Sequence, residues 1–141
     1  MTAVILGRCG EPKTLEVPLF AERVSAGFPS PAQDYIERSL DLNELCIKRP
    51  AATFFVRAEG ESMIEAGIFS GDILIVDRSL DPVHGDIVIA SVDGEFTVKR
   101  LSLRPSLRLE AANASYSAIE LRDESELEIF GVVTNVIHAL R

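Results

Sequence analysis

The sequence is poor in the residues that most often carry metal, redox or membrane chemistry. It has two cysteines, Cys9 and Cys46, and no CxxC pair. Two such thiols, with no export signal ahead of them, read as free cysteines of a reducing compartment, so a cytoplasmic location is expected. The two histidines, His84 and His138, lie far apart. A zinc site would have to gather scattered ligands, so neither a metal nor another cofactor is expected. The longest early apolar run, Ala3-Val4-Ile5-Leu6, is too short for a signal-peptide core or a membrane span. Bases are also outnumbered, 14 Lys and Arg against 22 Asp and Glu, for a net charge of −8. That balance argues against direct attraction to nucleic acid or an anionic membrane.

What is present is ordinary globular material, with 47% hydrophobic and 26% charged residues over 141 positions. A chain of this length forms one domain and buries roughly 68% of its unfolded surface, so no disulfide or metal staple is required. Residues 1–26 stand apart from the rest. They carry three acids (Glu11, Glu16, Glu22) and three bases (Arg8, Lys13, Arg23), so all of the net charge lies in residues 27–141. Gly7, Gly10, Pro12 and Pro18 break any sustained period there. The segment reads as an extended arm with one short strand, too short for a helix-turn-helix domain.

Ser30-Pro31-Ala32-Gln33 has the form of a helix start, with a capping serine and a first-turn proline. Tyr35, Ile36 and Leu40 would continue it as an apolar stripe, and Leu42, Leu45 and Cys46 suggest a second helical turn before Pro50. Beyond Pro50 the pattern changes. Runs at 53–59, 73–77, 86–92, 95–103, 107–111 and 128–140 are rich in β-branched and aromatic residues, punctuated by Gly, Pro, Asn and Asp. Asp93-Gly94 between two of these runs predicts a type I′ hairpin. The expected fold is mostly β: a curled sheet or partly closed barrel, with a short N-terminal helix and an extended N-terminal arm.

Two residues could carry chemistry together. Ser62, in Gly60-Glu61-Ser62-Met63, follows a predicted strand on a glycine turn. The backbone N–H groups of such a turn can face an incoming carbonyl. Alone, Gly-x-Ser reads equally as a turn or capping serine. Lys99 is one of only three lysines, with Lys13 and Lys48, beside 11 arginines. Where a fixed positive charge suffices this chain uses Arg; Lys can in addition lose its proton. Lys99 shares a strand face with Thr97 and Leu101, while Arg100 shares the other with Phe96 and Val98; alternation does not say which face is inward.

In a serine–lysine dyad the lysine must be neutral to take the serine proton. At an ordinary pKa only about one lysine in 2,500 is neutral at pH 7, and bringing the pKa to about 7 needs roughly 4.6 kcal/mol. Desolvation must supply it, because the acidic chain favours the ammonium. A rival set is Ser62 with His84 and Asp86 as base and orienter. Upstream, Val24-Ser25-Ala26-Gly27 is a small-residue run that could lie extended in a groove, or simply link two segments.

In order and spacing, Ala26-Gly27, Gly60-Glu61-Ser62-Met63, Gly71-Asp72-Ile73-Leu74-Ile75-Val76-Asp77, Gly85-Asp86-Ile87-Val88 and Val98-Lys99-Arg100-Leu101 resemble the LexA-type serine–lysine self-cleaving family. The likeness runs from about Val17 to Arg141 and is strongest to the family's SOS-mutagenesis branch. Phe28-Pro29-Ser30-Pro31-Ala32, Asp41-Leu42-Asn43, Asp93-Gly94-Glu95-Phe96-Thr97 and Phe130-Gly131-Val132-Val133 also belong to it. The resemblance implies Ser62 as nucleophile, Lys99 as general base and Ala26–Gly27 as the bond cut, with the Ser62 and Met63 backbone N–H groups as oxyanion donors. It divides the chain into a cleavable arm, 1–26, and a peptidase and dimerisation domain, 27–141. It further implies stimulation by RecA on single-stranded DNA. The cleaved homodimer would be the accessory subunit of a UmuC-type Y-family polymerase in error-prone translesion synthesis. Two other readings stay open here: a processing protease acting on other chains, and a non-catalytic β-rich binding module.

Overall fold

The computed structural model describes residues 1–10, 16–20, 36–121 and 127–141, with the backbone path alone for 16–20 and 36–40. Two units pack separately. One comprises residues 1–10 and 49–141, the other residues 11–48.

The larger unit is a β-sheet that curls back on itself. Its strands, numbered with those of the smaller unit in chain order, are β1 (Thr2–Arg8), β4 (Thr53–Glu59), β5 (Ile73–Asp77), β6 (Ile87–Val92), β7 (Glu95–Ser102), β8 (Arg108–Glu110), β9 (Ile119–Glu120) and β10 (Glu128–Ile137). They lie in the order β1-β4-β5-β10-β6-β7-β8-β9, and β1 also meets β7 at Thr2 and Thr97. That last pairing closes six strands into a small barrel and leaves β8 and β9 as an extension. Every pairing is antiparallel. All six runs read as strands from their composition form strands, and Asp93 (φ 50°) and Gly94 (φ 81°) take the two positive φ angles of a type I′ turn.

Period-two alternation divides the core. Val56, Ala58, Met63, Leu74, Val76, Ile89 and Val98 form one buried cluster, with Met1 and Ile5 packed against it. Val88, Ala90, Leu101, Leu109 and Val132 form a second. Val88 and Ala90 thus face away from Ile89, as a pleated strand buried on both sides requires. Gly131, on β10, has a reason to be glycine: a Cβ there would stand 2.6 Å from Val76 Cγ1 and 3.2 Å from the Asp77 carbonyl oxygen.

The first residues depart from the expected arm. Thr2–Arg8 is a seven-residue strand paired along β4, from Thr2 opposite Glu59 to Arg8 opposite Phe54, with a bulge between Ile5 and Gly7. Val4 and Leu6 face outward as well as Thr2, so the run lacks the clean polar–apolar alternation that marks a half-buried strand.

In the smaller unit, β2 (Glu16–Phe20) and β3 (Ile36–Asp41) form a two-stranded antiparallel sheet, followed by helix α1 (Leu42–Cys46). The helix matches the short turn expected at Leu42, Leu45 and Cys46, and the Asp41 side chain caps it by accepting from the Asn43 amide at 3.0 Å. The stripe of Ile36 and Leu40 is corrected from helix to strand. Residues four apart share a face in both conformations, so their spacing could not discriminate. The proposed helix start at Ser30–Gln33, Tyr35 and the Ala26–Gly27 bond lie outside the described residues.

Candidate active site

The turn after β4 positions Ser62. Gly60 opens it at φ 101°, a conformation that side-chain-bearing residues rarely adopt. A 3-10 turn follows over Ile64–Ala66, and Gly67 (φ 81°) ends it. Met63, fully buried, anchors the turn: its sulfur accepts from the Ala112 amide at 3.3 Å, and its carbonyl accepts from the Ala66 and Ile68 amides. Asn113 Nδ2 ties the same turn down by donating to the Glu61 carbonyl at 2.8 Å. Ser62 is thereby held with no solvent exposure.

Lys99 reaches Ser62 from β7. It lies on the face of β7 that carries Leu101, opposite the Val98 side chain in the barrel core, and is nonetheless only 6% exposed. The Lys99 Nζ donates to Ser62 Oγ at 3.1 Å, to Thr97 Oγ1 at 2.9 Å and to the Val98 carbonyl at 3.2 Å. Three acceptors around one ammonium fix its position. Among the described residues no carboxylate pairs with it. Burial lowers the Lys99 pKa from its ordinary value of 10.5, and a hydrogen bond with the Met1 α-amino group opposes this only in part. The direction is the one that general-base chemistry at Ser62 requires.

Two participants were not singled out in the sequence. Thr97, two residues before Lys99, holds the lysine from the same strand face; the shared face was legible, the contact was not. The second is the start of β1. The Met1 α-amino group donates to Ser62 Oγ at 2.5 Å, and its carbonyl accepts from the Val98 amide at 3.1 Å and from Thr97 Oγ1 at 2.7 Å. Burial first, then the hydrogen bond and positive charge of Lys99, pull the Met1 ammonium pKa from 8.0 down to about 5.

The rival histidine set does not assemble. His84 is exposed, and its Nδ1 accepts from the Leu103 amide at 2.9 Å. Asp86 accepts from the Val83 amide at 2.9 Å. Ser62 has its contacts with Lys99 and Met1 instead. No group of three or more potential metal ligands occurs among the described residues. Nor is any helix among them long and apolar enough to cross a membrane.

The chain can be set beside similar proteins. Residues 18–134 match the peptidase S24-like family. The chain is 62% identical over 124 residues to Protein ImpA of Salmonella typhimurium, covering 88% of this chain and 85% of that one. It is 57% identical over 131 residues to Protein SamA of Salmonella typhimurium strain LT2, covering 93% and 91%. It is 37% identical over 131 residues to the LexA repressor of Aliivibrio salmonicida, covering 92% of this chain and 62% of the repressor. The chain therefore belongs to the peptidase S24-like family, among the self-cleaving serine peptidases of the UmuD and LexA type that act in the SOS response.

Proposed function

We propose that the self-cleavage is carried out by Ser62 and Lys99 on the Ala26–Gly27 bond. The observation that carries this reading is the 3.1 Å contact between Lys99 Nζ and Ser62 Oγ in a site closed to water, where burial lowers the lysine pKa. Neutral Lys99 removes the Ser62 hydroxyl proton as Oγ attacks the Ala26 carbonyl carbon. The Ser62 and Met63 backbone N–H groups receive the oxyanion. The C–N bond breaks, and Lys99 passes its proton to the departing Gly27 amine. A water, deprotonated by Lys99, then hydrolyses the Ser62–Ala26 ester and restores both groups. Small residues on both sides of the bond suit a closed site, because an extended peptide must bring its carbonyl to within about 3–3.5 Å of the nucleophile.

On this reading the chain divides covalently into an arm, 1–26, and a lasting domain, 27–141. The body works as a homodimer in the cytoplasm. RecA assembled on single-stranded DNA stimulates the cut, and the cleaved dimer serves a UmuC-type Y-family polymerase as its accessory subunit. The acidic charge, all of it in residues 27–141, suits a protein that reaches DNA through partners rather than directly.

The test is incubation of the purified protein at about pH 10, where more Lys99 is neutral. A product beginning at Gly27 is expected from the wild type and not from Ser62→Ala. Complete resistance of the wild type, or an undiminished product from Ser62→Ala, overturns the assignment.

A further inference from the structure

The strand that completes the barrel also stands where a substrate has to go. Met1 nitrogen is 2.5 Å from Ser62 Oγ. A peptide carbonyl under attack must approach the same oxygen to about 3–3.5 Å. The Met1 carbonyl takes up the Val98 amide and the Thr97 hydroxyl, the polar groups of β7 that flank Lys99. Met1 Cα lies over the Gly60 turn, 3.4 Å from where a Cβ on Gly60 would be. Two chain segments cannot share that volume.

The strand is well seated. Thr2, Ala3, Val4 and Ile5 pair in register with Glu59, Ala58, Arg57 and Val56, and Ala3 is buried in the barrel core with Met1 and Ile5 against it. Withdrawing it means breaking a run of ladder hydrogen bonds and exposing apolar surface.

We propose that β1 is a built-in competitor of the cleavage segment: it fills the peptide seat between β4 and β7, and self-cleavage proceeds only after its first residues leave that seat. The proposal rests on the reading of Ser62 and Lys99 as the cutting pair. It adds that the described arrangement is a closed form of the enzyme, with an exchange between two segments of one chain as the controlling step. Any agent that loosens β1 from β4 accelerates the cut without touching the dyad.

The test locks the strand from its outer face. Val4 and Arg57 are opposite one another and exposed, and antiparallel partners stand at Cα separations of about 4.5–5.5 Å, within disulfide reach. In the full chain carrying Cys9→Ser and Cys46→Ser, the pair Val4→Cys and Arg57→Cys is oxidised or kept reduced. Self-cleavage at about pH 10 is then followed, with amide exchange at Val98 as a second readout. The oxidised protein is expected to cleave at least tenfold more slowly than the reduced one, with Val98 more strongly protected, and reduction should restore both. Equal cleavage of the two forms overturns the proposal. If neither form cleaves and the parent does not either, the dyad assignment has failed. In that case an unchanged Val98 exchange on oxidation counts against β1 leaving its seat. As an independent arm, Ala3→Glu, which puts a charge into the core beneath β1, should speed cleavage of the folded protein, and addition of a peptide of residues 1–8 should slow it again. A folded Ala3→Glu protein that cleaves no faster also overturns the proposal.

Discussion

Lys99 and Asp77 are both taken out of water by the barrel, at 6% and 4% exposure, and the two ends of the sheet treat them differently. Burial works against the Asp77 carboxylate, but hydrogen bonds from the Ser79 hydroxyl and amide, with Arg49 3.0 Å away, outweigh it and hold the carboxyl below its ordinary pKa. Lys99 has hydroxyl and carbonyl acceptors and no carboxylate partner among the described residues, so burial prevails and its pKa falls. A buried charge with its counter-ion is an anchor. A buried ammonium without one is ready to give up its proton, and such groups collect at reactive sites.

The contrast can be broken most sharply at the lysine end. Ser62→Ala and Lys99→Ala should each reduce self-cleavage by about 10³-fold or more, read as loss of the Gly27 product, because members of a catalytic unit fail together. His84→Ala should cleave at the wild-type rate, since that ring is engaged with Leu103. At the other end, Asp77→Ala should cost about 1–3 kcal/mol in denaturant unfolding, since it removes the hydrogen bonds that Ser79 donates to a charged carboxylate, while the folded fraction still cleaves.

Lys99→Met tests the sign of the difference. The lysine pKa is lower in the folded than in the unfolded protein. Between the two values the unfolded chain binds the extra proton, so wild-type stability rises with pH across that window. Lys99→Met should therefore raise the melting temperature at pH 7, and its advantage should shrink above the folded pKa and vanish beyond about 10.5, the unfolded value. A constant advantage at all pH values would show that packing, not ionisation, is responsible. The smallest loss of stability is expected from Arg49→Ala. Its side chain is 52% exposed, so loss of the ion pair with Asp77 should cost at most about 1 kcal/mol.

Much of this was legible in the residues themselves. The six β-rich runs after Pro50, the Asp93-Gly94 turn and the short helix at Leu42–Cys46 follow from local chemistry: side-chain branching, positive φ at a tight turn, and a capping aspartate. Ile36 and Leu40 could not be resolved because their spacing fits helix and strand alike. The short strand expected within residues 1–26 could not be placed, because Ala3-Val4-Ile5-Leu6 is apolar on both faces and the partners of β1 on β4 lie some fifty residues away. Met63 shows the same limit. Its sulfur steadies the turn through the Ala112 amide, 49 residues distant, and no local pattern announces that contact.

By itself, then, the sequence determined the six strand-forming runs after Pro50 and the turn at Asp93-Gly94, and that Ser62 on its glycine turn and Lys99 among so many arginines were the residues to watch. It separated the two faces of β7 without saying which was inward. Only the tertiary structure decided that Val98 faces the barrel core while Lys99 is buried on the opposite face, that Ser62 lies against Lys99 without solvent, and that β1 closes the sheet over the same spot. The physical reason is one of range. Backbone conformation is set by neighbours a few residues away, whereas burial, and with it the pKa of a lysine, is set by strands that meet only when the sheet curls.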